Sequence, residues 1–209
     1  MARSLSELVE PATAAVIVVD MQNDFCHPDG ALGRSGAPTE SSMAMIPRLA
    51  AFLDEARAAG TRIIFIQTIH EDCTDSDAWR TRRSLQDLCR KGTWGAEFIG
   101  VEPGPGEPVV VKHRYSAFIG TRLDSVLRTF GTQTLIMTGV ATNVCVESTA
   151  RLGFMMDYHI VMLSDCTAAA SQAEHEGGLK NIARSFGVVA TADEVVAAMN
   201  ERAHVAAAV

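Results

Sequence analysis

Six short runs rich in β-branched and other apolar residues recur along the 209-residue chain, and they constrain its fold more than any other feature. Each run is three to five residues long and almost continuously apolar. Such runs are typical of strands that are buried on both faces of a sheet. The runs are Val16–Val19, Arg62–Ile66, Val109–Val111, Leu135–Met137, Ile160–Leu163 and Gly187–Val189.

Stretches with helical periodicity separate these runs. Apolar residues recur at three- and four-residue spacing over 43–53 and 123–130, and Gly60 and Gly131 follow as helix-ending glycines. Further helices are expected at about 142–153, 175–186 and 193–202. Alternation of strands and helices predicts an α/β fold, with helices on both faces of a parallel sheet. We find no linker and no internal repeat, so a single domain over residues 1–209 is expected.

Composition and charge exclude several classes of protein. The chain is 47% hydrophobic and 21% charged, which is typical of a globular protein and not of a disordered chain. Its 18 Lys and Arg against 25 Asp and Glu give a net charge of −7, so neither nucleic acid nor an anionic membrane surface is an expected partner. No apolar run approaches the ~20 residues that a membrane-spanning helix needs.

The N-terminus and the cysteines point to a cytoplasmic protein with reduced thiols. The apolar run Ala14–Val19 follows acidic Glu10 and lacks a basic preceding region, so it is not interpreted as a signal peptide. The five cysteines are odd in number, widely spaced and without a CxxC pair. Neither a disulfide framework nor a zinc knuckle is therefore indicated. Apart from Cys145, we interpret them as structural thiols: Cys26, Cys73, Cys89 and Cys166.

Three reactive side chains follow predicted strands, at the edge where an open α/β sheet binds its ligands. Asp20 ends the first strand, Lys112 ends the third, and Cys145 lies where the fourth leads into a helix. Each alone also fits a structural role. We expect Thr142 to cap that helix, which places Cys145 in its first turn, where the helix dipole lowers a thiol pKa. Thiol, carboxylate and ammonium together suit nucleophilic acyl transfer.

Two long loops, 25–38 and 68–108, are candidates for a substrate wall, and the second is rich in Gly and Pro. Arg80, Arg82 and Arg83 either recognise a substrate carboxylate or form a solvated helix face. For the aromatic residues near the strand ends, ordinary core packing is the alternative to a pocket role. The substrate-binding candidates are Phe25, Gln67, His70, Trp94, Tyr115 and Phe118.

Three segments together resemble the isochorismatase-like cysteine hydrolases. They are Val18–Phe25 (VVDMQNDF), Lys112–Phe118 (KHRYSAF) and Gly139–Val146 (GVATNVCV), in that family's order. The resemblance covers about residues 12–190. It implies a three-layer Rossmann-like domain with a six-stranded parallel sheet in the order 3-2-1-4-5-6, and a homo-oligomer, either a dimer or a tetramer. With that strand order, the third strand is not adjacent to the fourth, so Lys112 must reach inward.

The same resemblance implies the catalytic groups. Asp20, Lys112 and Cys145 are expected to form a catalytic triad, and the backbone amides of Ala141 and Cys145 an oxyanion hole. A cis peptide bond is expected between Val140 and Ala141. The implied chemistry is attack by the Cys145 thiolate on an amide or ureido carbonyl, followed by hydrolysis of the thioester.

Within the family, the closest resemblance is to ureidoacrylate amidohydrolases, through segments 91–94, 112–127 and 139–149. Loop 68–90 departs from that group, so N-carbamoylsarcosine and biuret amidohydrolases stay open as alternatives, as does a non-catalytic scaffold. Cys145 argues against the vinyl-ether cleavage of true isochorismatases, which lack this cysteine.

Two cofactor classes are not expected. The Asp-x-His pattern of the nicotinamidase metal site is absent, so we expect neither a metal nor another cofactor. The GxGxxG motif of NAD-binding folds is also missing after the first strand. The expected partner is a small amide or ureido substrate.

Overall fold

The computed structural model of the chain describes residues 3–82 and 85–206. Six parallel strands form one sheet, and each predicted run coincides with one of them. The strands are β1 (Ala14–Val19), β2 (Arg62–Thr68), β3 (Val109–Lys112), β4 (Thr134–Val140), β5 (His159–Ala168) and β6 (Val188–Ala190). Their order, β3-β2-β1-β4-β5-β6, confirms the expected topology.

Helices connect the strands, and the predicted ones are all present. The long helices and the two that flank β4 are α4 (Glu40–Ala58), α6 (Leu123–Thr129), α7 (Glu147–Met155), α8 (Gln172–Ser185) and α9 (Ala192–Ala206). Short helices that periodicity did not predict are α1 (Leu5–Leu8), α2 (Asn23–Cys26), α3 (Ala31–Arg34), α5 (Asp77–Arg82) and a 3-10 turn at Trp94–Ala96. One turn or slightly more is too short for an apolar period to be visible. No described helix combines the length and apolarity needed to cross a membrane.

The sheet lies between two helical layers, each with its own apolar core. Val16 and Val18 of β1 point to the layer that contains α4 and α9. Ile17 and Val19 point to the opposite layer, which contains α6, α7 and α8. Every residue of β1 is buried, as the continuous apolar run predicts for a central strand. This rigid centre holds the carboxyl ends of the strands, where the candidate site lies.

The ends of β1 and β4 approach each other closely. Gly139 pairs with Val19 and has a φ of +97°, and a Cβ built on Gly139 would lie 2.1 Å from the Val19 carbonyl oxygen. Only glycine fits such an approach. Asp20, immediately after β1, has a φ of +52°, which is uncommon for a residue with a side chain. Left-handed backbone of this kind occurs preferentially at functional sites.

Candidate active site

Cys145 lies in a π-helical turn, Thr142–Val146, that leads from β4 into α7. The peptide bond between Val140 and Ala141 is cis, as the resemblance implied. The expectation that Thr142 caps this helix was wrong, because Ala141 occupies the cap position. The Thr142 hydroxyl instead forms a hydrogen bond with His175 Nδ1, at 2.8 Å. Cys145 therefore lies in the first turn, as expected, but the turn begins one residue earlier.

Asp20 and Lys112 form an ion pair beside this cysteine. Lys112 Nζ lies 2.7 Å from Asp20 Oδ2, and both side chains are only 1% exposed. The same ammonium lies 3.4 Å from Cys145 Sγ. The three side chains that the sequence singled out thus meet in one buried cluster. Because burial makes an unpaired charge costly, the cation and the carboxylate hold each other in place.

Thr68, the last residue of β2, bridges the cluster. Its hydroxyl accepts a hydrogen bond from Lys112 Nζ (2.7 Å) and donates one to Asp20 Oδ1 (2.9 Å). Because β2 lies between β3 and β1 in the sheet, the Thr68 hydroxyl lies between Lys112, at the end of β3, and Asp20, after β1. The buried Gln22 side chain fixes the backbone of Thr68: its Oε1 accepts from Thr68 N and its Nε2 donates to Thr68 O. The geometry explains how a lysine on β3 reaches a cysteine after β4.

The surroundings of Cys145 favour its protonated thiol form. Burial raises the pKa of Cys145 to about 12, and the nearby Lys112 ammonium opposes that rise. The negative charge of the Asp20 carboxylate favours the protonated thiol further. The expectation of a lowered thiol pKa was wrong, because desolvation by burial outweighs the favourable charge of the Lys112 ammonium. Burial also disfavours the Lys112 ammonium, but Asp20 and Cys145 outweigh it and the pKa of Lys112 is raised.

The cluster opens into a small, mainly apolar cavity of about 60 Å³. Cys145, Lys112 and Thr68 lie in its wall together with Ala141, whose backbone amide belongs to the proposed oxyanion hole. Aromatic and aliphatic side chains supply most of the remaining surface. The other lining residues are Phe25, Leu32, His70, Trp79, Leu88, His113, Arg114, Tyr115, Val140 and Val144.

Three of the six substrate-binding candidates line this cavity, namely Phe25, His70 and Tyr115. The other three lie elsewhere. The Gln67 amide donates to the Ala96 carbonyl at 2.9 Å, and Trp94 is 47% exposed, edge-on to the His27 ring.

Phe118 packs in the core against Tyr158, with ring centroids 5.9 Å apart. Position just beyond a strand end is therefore not enough to place a side chain in the cavity. Gln67 and Thr68 are consecutive residues of β2, so their side chains point to opposite faces of the sheet, and Thr68 is the one that lines the cavity.

The two described arginine candidates, Arg80 and Arg82, do not line the cavity. Arg80 and Arg82 lie on the exposed helix α5, and Arg80 donates to the Asp72 carbonyl. Arg83 lies outside the described residues. The arginine that does line the cavity is Arg114, two residues after Lys112. It donates to the carbonyls of Thr74 and His113, and no described carboxylate forms an ion pair with it.

Sequence reasoning missed several lining residues. Thr68 and Arg114 carried a usable signal, because each adjoins a strand end on the same edge as Asp20 and Lys112. Trp79 and Leu88 carried none, since both belong to the long loop whose path no periodicity predicts. Among the cysteines, Cys73 is exposed, so it is not a buried structural thiol. Cys26, Cys89 and Cys166 are buried, and burial raises their pKa values.

Nothing within residues 3–82 and 85–206 groups three or more His, Cys, Asp or Glu side chains in a way that would hold a metal ion. His70, the histidine in the loop His70-Glu71-Asp72-Cys73, forms its hydrogen bond with Asp75. The half-buried side chain of Glu71 pairs with exposed Lys91.

Comparison with known proteins gives consistent matches over most of the chain. The isochorismatase domain model matches residues 14–194. A relative from Methylobacterium radiotolerans, named ureidoacrylate amidohydrolase RutB, is 37% identical over 199 residues, which are 87% of this chain and 77% of the relative.

Two solved structures extend the comparison to the fold. A cysteine hydrolase from Pseudomonas syringae pv. phaseolicola has a TM-score of 0.86 and 32% identity, covering 96% of this chain and 99% of that one. An N-carbamoylsarcosine amidase from Thermoplasma acidophilum has a TM-score of 0.73 and 28% identity, covering 87% and 97%.

Proposed function

Because the chain belongs to the isochorismatase family, we propose that it is a cysteine amidohydrolase that cleaves a C–N bond of a small amide or ureido compound through a thioester. One observation carries the proposal. The Cys145 thiol and the Lys112 ammonium lie 3.4 Å apart in the wall of an apolar cavity, and the Asp20 carboxylate lies 2.7 Å from the same ammonium. A buried ion pair is not needed for stability, because a protein with apolar residues of similar volume in its place is often as stable or more stable. The ion pair beside the thiol therefore favours a catalytic role over a purely structural one.

The proposed reaction follows from the protonation state of the cluster. Asp20 takes the Cys145 proton as the sulfur attacks the substrate carbonyl carbon. The Lys112 ammonium favours the developing thiolate by charge proximity. The carbonyl oxygen becomes an oxyanion, which the amides of Ala141 and Cys145 stabilise; removing one such donor typically costs ~2.7–4 kcal/mol.

The second half of the cycle restores the enzyme. The C–N bond breaks, and the amine or ammonia leaves with the proton held by Asp20. Water then attacks the thioester, and Asp20 accepts a proton from that water. The C–S bond breaks, an acid is released and the Cys145 thiol is restored.

The cavity and the relatives together favour a small substrate that carries a ureido group and a carboxylate. The cavity has room for only a few heavy atoms beyond the reacting carbonyl. Arg114 supplies a guanidinium in its wall, which suits a carboxylate. The M. radiotolerans relative is named for ureidoacrylate, a compound with both groups. N-Carbamoylsarcosine, for which the T. acidophilum neighbour is named, has the same two groups.

A panel of substrates tests the proposal. The purified protein is incubated with 3-ureidoacrylate, N-carbamoylsarcosine, biuret, nicotinamide and maleamate, and ammonia release and product mass are measured. We expect turnover of a ureido acid, and its loss in Cys145→Ala. The matched control is Cys73→Ala, because Cys73 is exposed and lies outside the cavity. Turnover that survives in Cys145→Ala would refute the covalent mechanism.

A further inference from the structure

His70 is a buried titratable side chain in the cavity wall that the proposed mechanism does not use. Its side chain is 3% exposed, and its Nδ1 lies 2.7 Å from Asp75 Oδ1. The second oxygen of Asp75 accepts a hydrogen bond from Arg90 Nη1 at 2.9 Å. A backbone bridge between His70 and Arg90 supports the arrangement. The sequence thus builds a three-residue chain, Arg90–Asp75–His70, that ends at the cavity.

The hydrogen bonds from Arg90 through Asp75 to His70 fix the tautomer of the His70 ring. The Asp75 carboxylate pairs with Arg90 and can only accept hydrogen bonds, so the shared proton is carried by Nδ1 of His70. Burial lowers the pKa of His70, although Asp75 opposes that effect, so the ring is neutral near pH 7. A neutral ring with its proton on Nδ1 has a lone pair on Nε2. Nε2 is buried and has no hydrogen-bond partner among the described residues.

Aromatic neighbours hold the ring in this orientation. The His70 ring stacks on Trp79, with centroids 4.7 Å apart and planes 27° apart. Trp79 in turn contacts Tyr115, with centroids 5.2 Å apart. All three side chains line the cavity. Nδ1 faces Asp75, which is not among the residues that line this cavity, and Nε2 lies on the opposite edge of the ring.

We propose that His70 is a specificity-determining residue, whose Nε2 accepts a hydrogen bond from an N–H of the amide or ureido substrate. This inference rests on the proposed function and names how the same site selects its substrate. Lys112 and the proposed oxyanion amides offer donors only, which suit the substrate carbonyl. His70 supplies the complementary acceptor. A buried acceptor without a partner costs free energy, so a ligand with an N–H is favoured over one of the same shape without it.

The tautomer is tested first, in the free protein. Long-range ¹H–¹⁵N correlation spectra near pH 7 report which nitrogen of His70 carries the proton. We expect a proton on Nδ1 and none on Nε2. In Asp75→Asn, the amide oxygen should turn to Arg90 and the amide N–H to His70, which moves the ring proton to Nε2. A wild-type protein with its proton on Nε2, or with both nitrogens protonated, would overturn the inference.

Ligand selection is tested in a Cys145→Ala background, which blocks turnover. Calorimetry compares 3-ureidoacrylate with 5-oxohex-2-enoate, which has the same heavy-atom connectivity but carbon in place of both nitrogens. His70→Phe keeps the aromatic stack on Trp79 and removes the acceptor. We expect it to weaken 3-ureidoacrylate binding by roughly tenfold and to leave the ketone within about twofold. His70→Gln, which retains an acceptor oxygen, should recover part of the loss.

The matched control is His159→Phe, which makes the same change on an exposed residue outside the cavity. Equal weakening of both ligands by His70→Phe would assign His70 a packing role and overturn the inference. If His70→Phe leaves the binding of both ligands unchanged, the inference is also overturned. The same holds if His70→Phe, made in the enzyme that retains Cys145, has an unchanged KM for the best substrate of the amide panel. Either result leaves the proposed function intact. Failure of the wild-type protein to hydrolyse any amide would instead refute the proposed function.

Discussion

Replacing Lys112 with Met deletes one charge at the centre of the proposed site and keeps most of the side-chain volume. Lys112 Nζ lies 3.4 Å from Cys145 Sγ and 2.7 Å from Asp20 Oδ2. In the variant, any thiolate at Cys145 would face the Asp20 carboxylate without a cation between them. We therefore expect the pKa of Cys145 to rise further above its already raised value of about 12.

The size of this effect follows from the geometry. Two unit charges 3.4 Å apart interact by about 5 kcal/mol at an effective dielectric constant of ~20. Because each 1.4 kcal/mol is a factor of ten, the thiolate population should fall by roughly a thousandfold. Rearrangement around the substituted, uncharged side chain reduces that figure, so we expect at least about a hundredfold slower alkylation of Cys145 at any pH between 7 and 10.

The assay follows iodoacetamide modification of the Cys145 peptide by mass spectrometry, as a function of pH. A Cys73→Ser background removes the exposed thiol that would consume reagent. In the wild-type protein, the alkylation rate should rise with pH from 7 to 10 without a plateau, because the pKa of Cys145, about 12, lies above this range. The matched control is Lys91→Met, since Lys91 is exposed, pairs with Glu71 and does not line the cavity that contains the thiol.

Superimposable alkylation profiles for the wild-type protein and Lys112→Met would refute the reasoning. They would show that the ammonium does not act on the sulfur, and the catalytic assignment would then shrink to Asp20 and Cys145. Arg at this position should not restore the rate, because a planar guanidinium does not fit the place of a compact ammonium.

Three further changes test other parts of the site. Asp20→Asn keeps the side-chain size and removes the proposed base, so kcat on the best substrate of the panel should fall by about 10²–10⁴, whereas an unchanged kcat would contradict the assignment. Thr68→Val removes the hydroxyl between Lys112 and Asp20; urea titration should show a loss of about 1–3 kcal/mol in the free energy of unfolding, against under ~0.5 kcal/mol for exposed Thr129→Val. Prolonged dialysis against a strong chelator should leave activity intact, and a loss that zinc or iron restores would show that a metal is needed.

The fold was predictable because its strands are buried on both faces and therefore carry an unbroken apolar signal. The run Val16–Val19 marked β1 for this reason, and Gly131 marked the end of α6. The short helix α5 was not predictable. None of its residues is buried, so no apolar period distinguishes it from a loop.

For the proposed catalytic cluster, the sequence predicted which residues belong to it but not how they are arranged. Each of Asp20, Lys112 and Cys145 lies at or shortly after the end of a predicted strand. The sequence alone therefore places all three at the carboxyl edge of the sheet. The bridge through Thr68 depends on which strands are neighbours in space, and the thiol pKa depends on how completely Cys145 is desolvated. Neither can be read from local sequence, because both arise from tertiary packing.

The substrate wall was the least predictable part. Trp79 and Leu88 reach the cavity only because loop 68–108 folds back across the strand ends. Exposed Trp94, from the same loop, faces His27 instead. Composition identified the loop as a candidate wall, but which of its side chains point inward is decided by contacts that have no sequence period.

The most direct test of the account is detection of the covalent intermediate on Cys145. The protein is mixed with the best substrate of the panel, quenched in acid during turnover, digested and analysed by mass spectrometry. The account predicts that the Cys145 peptide carries the mass of the acyl fragment during turnover and loses it when substrate is exhausted. Continued product formation with an unmodified Cys145 peptide, together with an active Cys145→Ala variant, would contradict it.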